Sequence, residues 1–235
     1  MSEMRKIVVV GGCGHVGLPF GMVLADHGLQ VTLLDVDQAK VAEVNAGKMP
    51  FRESGADDLL PKIIGKSLTA TVDRECLRSA DIIISVIGTP VDEHLNPTVA
   101  ALYRSLDELI EYVPDHSLLV LRSTLYPGVT RLIKDRIDDR KRDIHVAFCP
   151  ERIAEGKAIE ELTSLPQIIS AFEPVALAKA RELFGRIAPS LIELDPLEAE
   201  LAKLFTNSWR YLNFAASNQF YMLAENYGLD FYRIY

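Results

Sequence analysis

The stretch IVVVGGCGHVG, residues Ile7–Gly17, decides the fold of this 235-residue chain. Its four β-branched residues predict a buried strand, and the glycine cluster that follows predicts a tight turn. A helical pattern comes next, and a second apolar run, Val31–Leu34, then ends on Asp35. The order strand, glycine-rich turn, helix, strand and acid predicts a parallel β-α-β unit with a ligand at the turn.

The spacing of three glycines fits the G-x-G-x-x-G pattern of dinucleotide-binding turns. In that pattern Gly12 allows the tight turn, Gly14 lets the backbone approach a pyrophosphate, and Gly17 lets the helix pack on the strand. The N-terminus of the helix also offers free N–H groups and the positive end of its dipole to phosphates. The turn therefore predicts a bound dinucleotide. The alternative is a glycine-rich turn kept for packing alone.

An acid follows the turn at the offset expected for ribose recognition. Asp35 stands 23 residues after Gly12, close to the offset of about 20 for the acid that binds the ribose 2′-OH. A carboxylate there repels a 2′-phosphate, so the sequence favours NAD over NADP. Asp37 is a nearby acid that we expect to be the N-cap of the following helix.

Composition and charge exclude several classes of protein. The net charge of −8 and the isoelectric point near 5.2 argue against a nucleic-acid partner. No apolar run approaches the roughly 18 residues of a membrane span, and the first residues lead into a strand without a signal peptide. The three cysteines have neither disulfide nor zinc spacing. We expect a cytoplasmic protein that contacts no membrane and holds no metal.

Strand-like and helical patterns alternate along most of the chain. Strands are expected over 7–10, 31–34, 82–87, 118–121, 144–148 and 167–170, and helices over 16–27, 38–46, 99–112, 128–139 and 174–188. Alternation of this kind predicts the α/β class, with a Rossmann-like, doubly wound and mostly parallel sheet. The segment 47–65 is the longest stretch that the pattern leaves irregular.

The last forty residues predict one long helix. Asp195 can cap it, Pro196 suits its first position, and Glu198 completes a capping box. The implied helix of about 32 residues would be about 48 Å long, so we divide the chain into a domain over 1–195 and a helix over 196–235. Its many aromatics have two interpretations, core packing or a subunit interface. The end of the chain soon after this helix leads us to expect a fragment of a longer protein.

Further polar clusters are expected where strands end, the edge at which ligands bind in open α/β sheets. They are G-T-P at 88–90, S-T-L-Y-P-G at 123–128, P-E-R-I-A-E-G at 150–156 and K-L-F-T-N at 203–207. With the glycine turn and in this order, these motifs resemble those of the UDP-glucose/GDP-mannose dehydrogenase family. The resemblance covers the whole chain, and the run at 149–158 is most similar to the UDP-N-acetylmannosamine dehydrogenase branch.

The resemblance implies NAD as the cofactor and assigns residues to it. The pyrophosphate would lie against the turn residues Gly12, Cys13, Gly14, His15, Val16 and Gly17. The adenosine ribose would bind Asp35, with Lys40 beside it. The nicotinamide side of the cofactor would contact Thr89, Thr124 and Glu155. It also implies a catalytic set in which Thr124 positions the water or proton, Glu151 assists hydrolysis of a covalent intermediate, Lys203 stabilises the oxyanion, and Asn207 binds the same oxygen or a water.

The family oxidises the C6 hydroxyl of a nucleotide sugar to a carboxylate with two NAD⁺, and the second oxidation needs a cysteine nucleophile. The family's glycine-rich cysteine motif and its second nucleotide-binding domain are absent from this sequence. Cys149 is the best substitute here, although a small buried residue at a strand end is the plainer interpretation. We therefore expect a chain that binds NAD but does not complete the oxidation alone.

The family also implies a homodimer built on the long helix, and the sugar itself is not specified by the sequence. Two alternatives remain open. A β-hydroxyacid or 6-phosphogluconate type of dehydrogenase shares the N-terminal fold and a lysine–asparagine pair on a long helix. An inert NAD-binding or dimerisation module is the other.

Overall fold

A computed structural model describes residues 5–88 and 99–235 of the chain. Its strands form one sheet in the order β3-β2-β1-β4-β5-β6-β7-β8, in which every neighbouring pair is parallel except the antiparallel pair β6 and β7. The strands are β1 (Lys6–Val10), β2 (Gln30–Leu34), β3 (Leu68–Thr71), β4 (Ile82–Ser85), β5 (Leu118–Leu121), β6 (His145–Phe148), β7 (Gln167–Ala171) and β8 (Leu191–Glu193).

Helices cover both faces of this sheet. They are α1 (Gly17–Asp26), α2 (Gln38–Asn45), α3 (Ala56–Ile63), α4 (Val99–Ile110), α5 (Val129–Asp139), α6 (Ala158–Ser164), α7 (Pro174–Phe184), α8 (Pro196–Asn226) and α9 (Phe231–Ile234), with a 3-10 helix at Arg74–Ser79. Along β1, Ile7 and Val9 enter one apolar core while Val8 and Val10 enter a second. Successive side chains of a strand point to opposite faces, so the sheet is buried on both sides and the doubly wound fold is confirmed.

The expected elements are present with small shifts at their ends, but β3, β8, α3, α6 and α9 were missed. β3 and β8 are short and partly polar, so they lack the apolar run that marked the other strands. The expectation that 47–65 is irregular was wrong over α3. That helix forms despite Pro61 because it buries Ala56, Leu60 and Ile63 against the core. The short helix α6, which buries Ala158 and Leu162, was not anticipated either.

The long helix is confirmed, and α8 runs for 31 residues from Pro196. Its capping box is formed by Asp195 and Glu198 as predicted. The first turns pack on the sheet domain, with Glu200 and Lys203 buried there. Beyond them only Ala224 of this helix is buried. The division into two parts at residue 195 stays a prediction.

The aromatic side chains of α8 do not enter the core of this chain. Exposed large apolar residues follow the helix from its third turn to its last, and they are Phe205, Trp209, Tyr211, Leu212, Phe214, Phe220, Tyr221, Met222 and Leu223. The described residues leave this surface, which we call the α8 apolar face, open.

Candidate active site

The glycine turn joins β1 to α1, and each glycine is there for a different steric reason. Gly11 supplies the left-handed backbone conformation of the tight turn, with φ +79°. The sequence analysis had assigned that role to Gly12. A Cβ on Gly12 would lie 2.7 Å from the Cβ of Leu33, and one on Gly17 would lie 2.4 Å from the carbonyl oxygen of Gly11. A Cβ on Gly14 would meet nothing closer than 3.5 Å. The backbone at Gly14 is therefore open to a ligand.

Asp35 is bound to the glycine turn through its side chain. Its Oδ2 accepts from the Cys13 N–H at 2.9 Å, and its Oδ1 accepts from the Asp37 N–H at 3.1 Å. Asp37 caps α2 as predicted, accepting from the N–H groups of Ala39 and Lys40. Asp35 thus fixes the end of β2 against the turn and keeps an acceptor beside the backbone of the turn.

Two cavities flank the turn. The first, of about 430 Å³, lies on the Asp35 side and is partly apolar, with Val36, Val72 and Leu109 among its lining residues. The second, of about 400 Å³, lies on the other side. Its lining is His15, Val16, Val86, Gly88, Arg122, Ser123, Thr124, Glu151, Ile153, Glu155, Lys203 and Arg210. A turn with one cavity on each side suits an extended ligand held at its centre.

The second cavity brings together most of the predicted catalytic and nicotinamide-side residues. Thr124, Glu151, Glu155 and Lys203 come from three separate motifs and share its walls. Asn207 follows one turn after Lys203 and is half-buried, but it is not part of the lining. Thr89 lies outside the described residues.

Glu151 is a buried carboxylate whose oxygens are already engaged. Oε1 accepts from the N–H groups of Arg152 at 2.5 Å and Ile153 at 2.7 Å, and Oε2 pairs with Arg122. Burial by itself raises the pKa of a carboxyl. The charge of Arg122 and the two backbone donors outweigh burial, so the pKa of Glu151 lies below its ordinary value. Glu151 is therefore a fixed negative charge at the cavity wall.

Arg122 holds this pair from inside the core. It is fully buried, and its guanidinium lies 4.2 Å from the ring centroid of Phe20 and 5.2 Å from that of Phe184. Nη1 donates to the carbonyl oxygen of Cys149 at 3.3 Å and to Gln167 at 3.2 Å. The ends of β5 and β6 are thereby tied to the glycine-turn helix α1, which carries Phe20.

Lys203 presents an ammonium to the same cavity. Its burial lowers the pKa below the ordinary lysine value; Glu151 opposes that effect, while Arg210 and Arg122 add to it. Within the described residues Nζ has no hydrogen-bond acceptor. Lys203 is thus available to a ligand oxygen, and its lowered pKa brings proton transfer closer to neutral pH.

The cysteines offer no ready nucleophile. Burial raises the pKa of Cys149 to about 12, and burial with the charge of Asp35 raises that of Cys13 to about 12. Burial also raises the pKa of Cys76 to about 11. A thiol must ionise to attack, so Cys149 fits the interpretation as a small buried residue.

Residues 5–88 and 99–235 contain neither a membrane-spanning helix nor a cluster of metal-ligating side chains. No helix there combines the length and the apolar character that a membrane span requires. No cluster of three or more His, Cys, Asp or Glu side chains could hold a metal.

Sequence reasoning missed the side chains that hold the site loops. Glu53 Oε2 accepts from the Gly156 N–H at 3.1 Å, and Glu161 accepts from the Ala154 N–H at 2.6 Å. Neither acid belongs to a motif, and no local signal marks them. Arg210 had a usable signal, since it lies seven residues after Lys203 and two helical turns bring it to the same face.

Comparison with known proteins identifies the family. The NAD binding domain of the UDP-glucose/GDP-mannose dehydrogenase family matches residues 5–188. The chain therefore belongs to this family, as its motifs predicted.

Individual relatives of this chain have names that belong to the same family. UDP-N-acetyl-D-mannosamine dehydrogenase of Methanococcus vannielii is 29% identical over 97% of this chain and 53% of its own length. The structure of the corresponding dehydrogenase from Pyrococcus horikoshii superposes with a TM-score of 0.88 at 26% identity, over 97% of this chain and 56% of that one. A UDP-glucose dehydrogenase from Pyrobaculum islandicum gives 0.87 at 26% identity, over 99% and 56%. The chain thus spans about half the length of the curated relatives it matches.

Proposed function

We propose that this chain is the NAD-binding part of an enzyme that oxidises the C6 hydroxyl of a nucleotide sugar to the carboxylate, with UDP-N-acetylmannosamine or a similar sugar as substrate. The observation that carries the proposal is the second cavity, where Thr124, Glu151, Glu155 and Lys203 converge beside the glycine turn. The names of the relatives support the substrate class.

The residues around the turn suit a dinucleotide. Backbone N–H groups at the start of α1 face a space that the missing side chain of Gly14 leaves open. Asp35 keeps spare acceptor capacity for a ribose hydroxyl, because the two N–H donors use only one lone pair on each oxygen. The cavity that contains Val36 and Val72 would take the adenine end.

The other cavity suits the reacting end. A bound NAD would supply the acceptor for the hydride that leaves the alcohol carbon. Lys203 would stabilise the negative charge that develops on the alcohol oxygen, an effect that is strong in a partly dry site. Thr124 would position the proton or water, with Asn207 assisting from one turn further along α8. Glu151 would assist hydrolysis as a hydrogen-bond acceptor, since its lowered pKa makes it a weak base.

We also propose that the chain by itself does not complete the oxidation, because its three thiols have raised pKa values. The α8 apolar face would pair with a second copy of the chain, since large exposed apolar patches mark interaction surfaces. Sedimentation equilibrium should then give twice the mass of 26.1 kDa.

Titration with NAD and NADP tests the cofactor assignment. The chain should bind NAD at least about tenfold more tightly than NADP, and Asp35→Asn should reduce that preference by weakening NAD binding. Asp37→Asn is the matched control, because Asp37 lies two residues away and caps α2 instead. Since Asn caps helices about as well as Asp, the melting temperature should change little and the preference should stay unchanged.

Equal affinity for the two dinucleotides in the unmutated chain would contradict the role of Asp35. The same sample incubated with NAD and a UDP-sugar should give no sugar acid. Sustained formation of the acid would overturn the proposal that the chain alone is inactive, and it would exclude an inert module as well.

A further inference from the structure

Glu200 is a buried acid of α8 that the proposed chemistry does not use. It is 1% exposed, and it does not cap its own helix, because Asp195 and Glu198 do so. Its carboxylate instead reaches another helix. It accepts from the Gly128 N–H at 2.6 Å, the Thr130 N–H at 2.8 Å and the Thr130 hydroxyl at 2.6 Å.

These donors are the N-terminus of α5, whose first N–H groups have no partner within the helix. The N-cap of α5 is Gly128 in the left-handed conformation, at φ +93°, and it has no side chain with which to accept them. Glu200 supplies that acceptor from a distance of 70 residues along the sequence. A negative charge at this end of a helix is also favoured by the helix dipole.

The contact joins two walls of the second cavity. Gly128 ends the loop that carries Thr124, and Lys203 follows Glu200 by three residues, on the same side of α8. Both Thr124 and Lys203 line the cavity. The Glu200 carboxylate therefore connects the loop that carries Thr124 to the helix that carries Lys203.

We infer that Glu200 is a positioning residue, which sets where the ammonium of Lys203 stands relative to Thr124. The inference rests on the proposed function, in which those two side chains face the reacting end of the cofactor. The competing explanation is a cap that stabilises the fold and leaves the position of Lys203 unaffected.

The ionisation of Lys203 separates the two explanations without any ligand. Lys203 can be followed by NMR in the chain labelled with ¹³C-lysine, with its resonance assigned by its loss in Lys203→Arg. In Glu200→Gln only the amide oxygen can accept, because the NH₂ group is a donor. Either the Gly128 N–H or the Thr130 N–H then loses its acceptor, so α8 should shift and Lys203 should gain solvent. Its pKa should then rise toward the ordinary value near 10.4.

The direction of the change is diagnostic. Removing a negative charge near a lysine lowers its pKa, so a rise in Glu200→Gln can come only from displacement of Lys203. Glu198→Gln is the matched control, because it removes a carboxylate from the same helical turn that caps α8 itself. It should lower the melting temperature and leave the pKa of Lys203 within about 0.2 units of the unmutated value.

An unchanged or lowered pKa in folded Glu200→Gln would overturn the inference and leave Glu200 as a stabilising cap. If that variant does not fold, Thr130→Val provides the test, because it removes only the hydroxyl bond to Glu200. The pKa of Lys203 should rise in it by a smaller amount, and no rise would count against the inference. Binding of NAD by the unmutated chain is measured separately. A failure of the proposed function can therefore be distinguished from a failure of the inference about Glu200.

Discussion

The two sides of the candidate site are built in different ways. The glycine turn is held by steric contacts among residues close to the β-α-β unit, such as Gly17 against the Gly11 carbonyl. The second cavity is held by charged side chains that reach across the chain. Arg122 and Glu151 are 29 residues apart, and Glu200 and Thr130 are 70 apart.

This difference has a consequence for how each side responds to change. Apart from its bond to Asp35, the turn depends on the absence of side chains, so an added methyl group should disturb either its packing, as at Gly17, or the space for a ligand, as at Gly14. The second cavity depends on paired charges, so it is sensitive to the loss of one partner and to pH. Each prediction below tests one side of this contrast, in order of the size of the expected effect.

Arg122→Met should have the largest effect. It leaves Glu151 buried without its cation, and breaking a buried pair in this way costs about 3–5 kcal/mol. Chemical denaturation at pH 7 measures the loss in the free energy of unfolding. Arg136→Met is the matched control, because Arg136 pairs with Asp107 at the surface, and exposed pairs contribute little.

The effect of Arg122→Met should also shrink as the pH falls from 7 toward 4. In the unmutated chain the pKa of Glu151 is below its ordinary value, so the pair stabilises the fold above the unfolded pKa, and that contribution is lost as the pH falls through the folded pKa. In the variant, burial without Arg122 raises the pKa, so protonation relieves the destabilisation. A difference in stability that is constant with pH would show that packing of Arg122 on Phe20 and Phe184, and not charge, holds this wall.

Gly17→Ala tests the other side and should cost about 1–3 kcal/mol, the usual range for atoms forced into a packed site. For a chain of this size the melting temperature falls by about 2–4 °C per kcal/mol. NAD binding should be lost along with the stability, since the new Cβ displaces the turn itself.

Gly14→Ala is the matched control for the turn. Its Cβ would meet no atom closer than 3.5 Å, so calorimetry should show an unchanged melting temperature. Isothermal titration should still show at least a tenfold loss of NAD affinity, because the methyl group would occupy the space proposed for the pyrophosphate. Normal NAD affinity in Gly14→Ala would place the phosphates elsewhere and break the contrast between the two sides.

The same contrast explains what the sequence could predict. The turn, its acid and the cap at Asp37 are encoded within thirty residues, and local spacing was enough to assign them. The helix α3 was missed because Pro61 signals a break, while the burial of Leu60 that stabilises the helix is a tertiary effect. Glu53 and Glu200 were missed for the same reason, since a buried acid that binds a distant backbone N–H leaves no periodic mark.

Lys40→Ala should have the smallest effect, although Lys40 was assigned to the ribose together with Asp35. Its ammonium lies 3.6 Å from Asp37 Oδ2, and the side chain is 47% exposed. Charges so exposed are screened over about 8 Å at physiological salt, so the variant should lose about twofold in NAD affinity at 0.15 M salt and somewhat more at low salt. Titration at two salt concentrations measures both. A loss above tenfold that does not depend on salt would mean that Lys40 binds the cofactor directly, and the nucleotide side of the site would then rely on a second charged side chain besides Asp35.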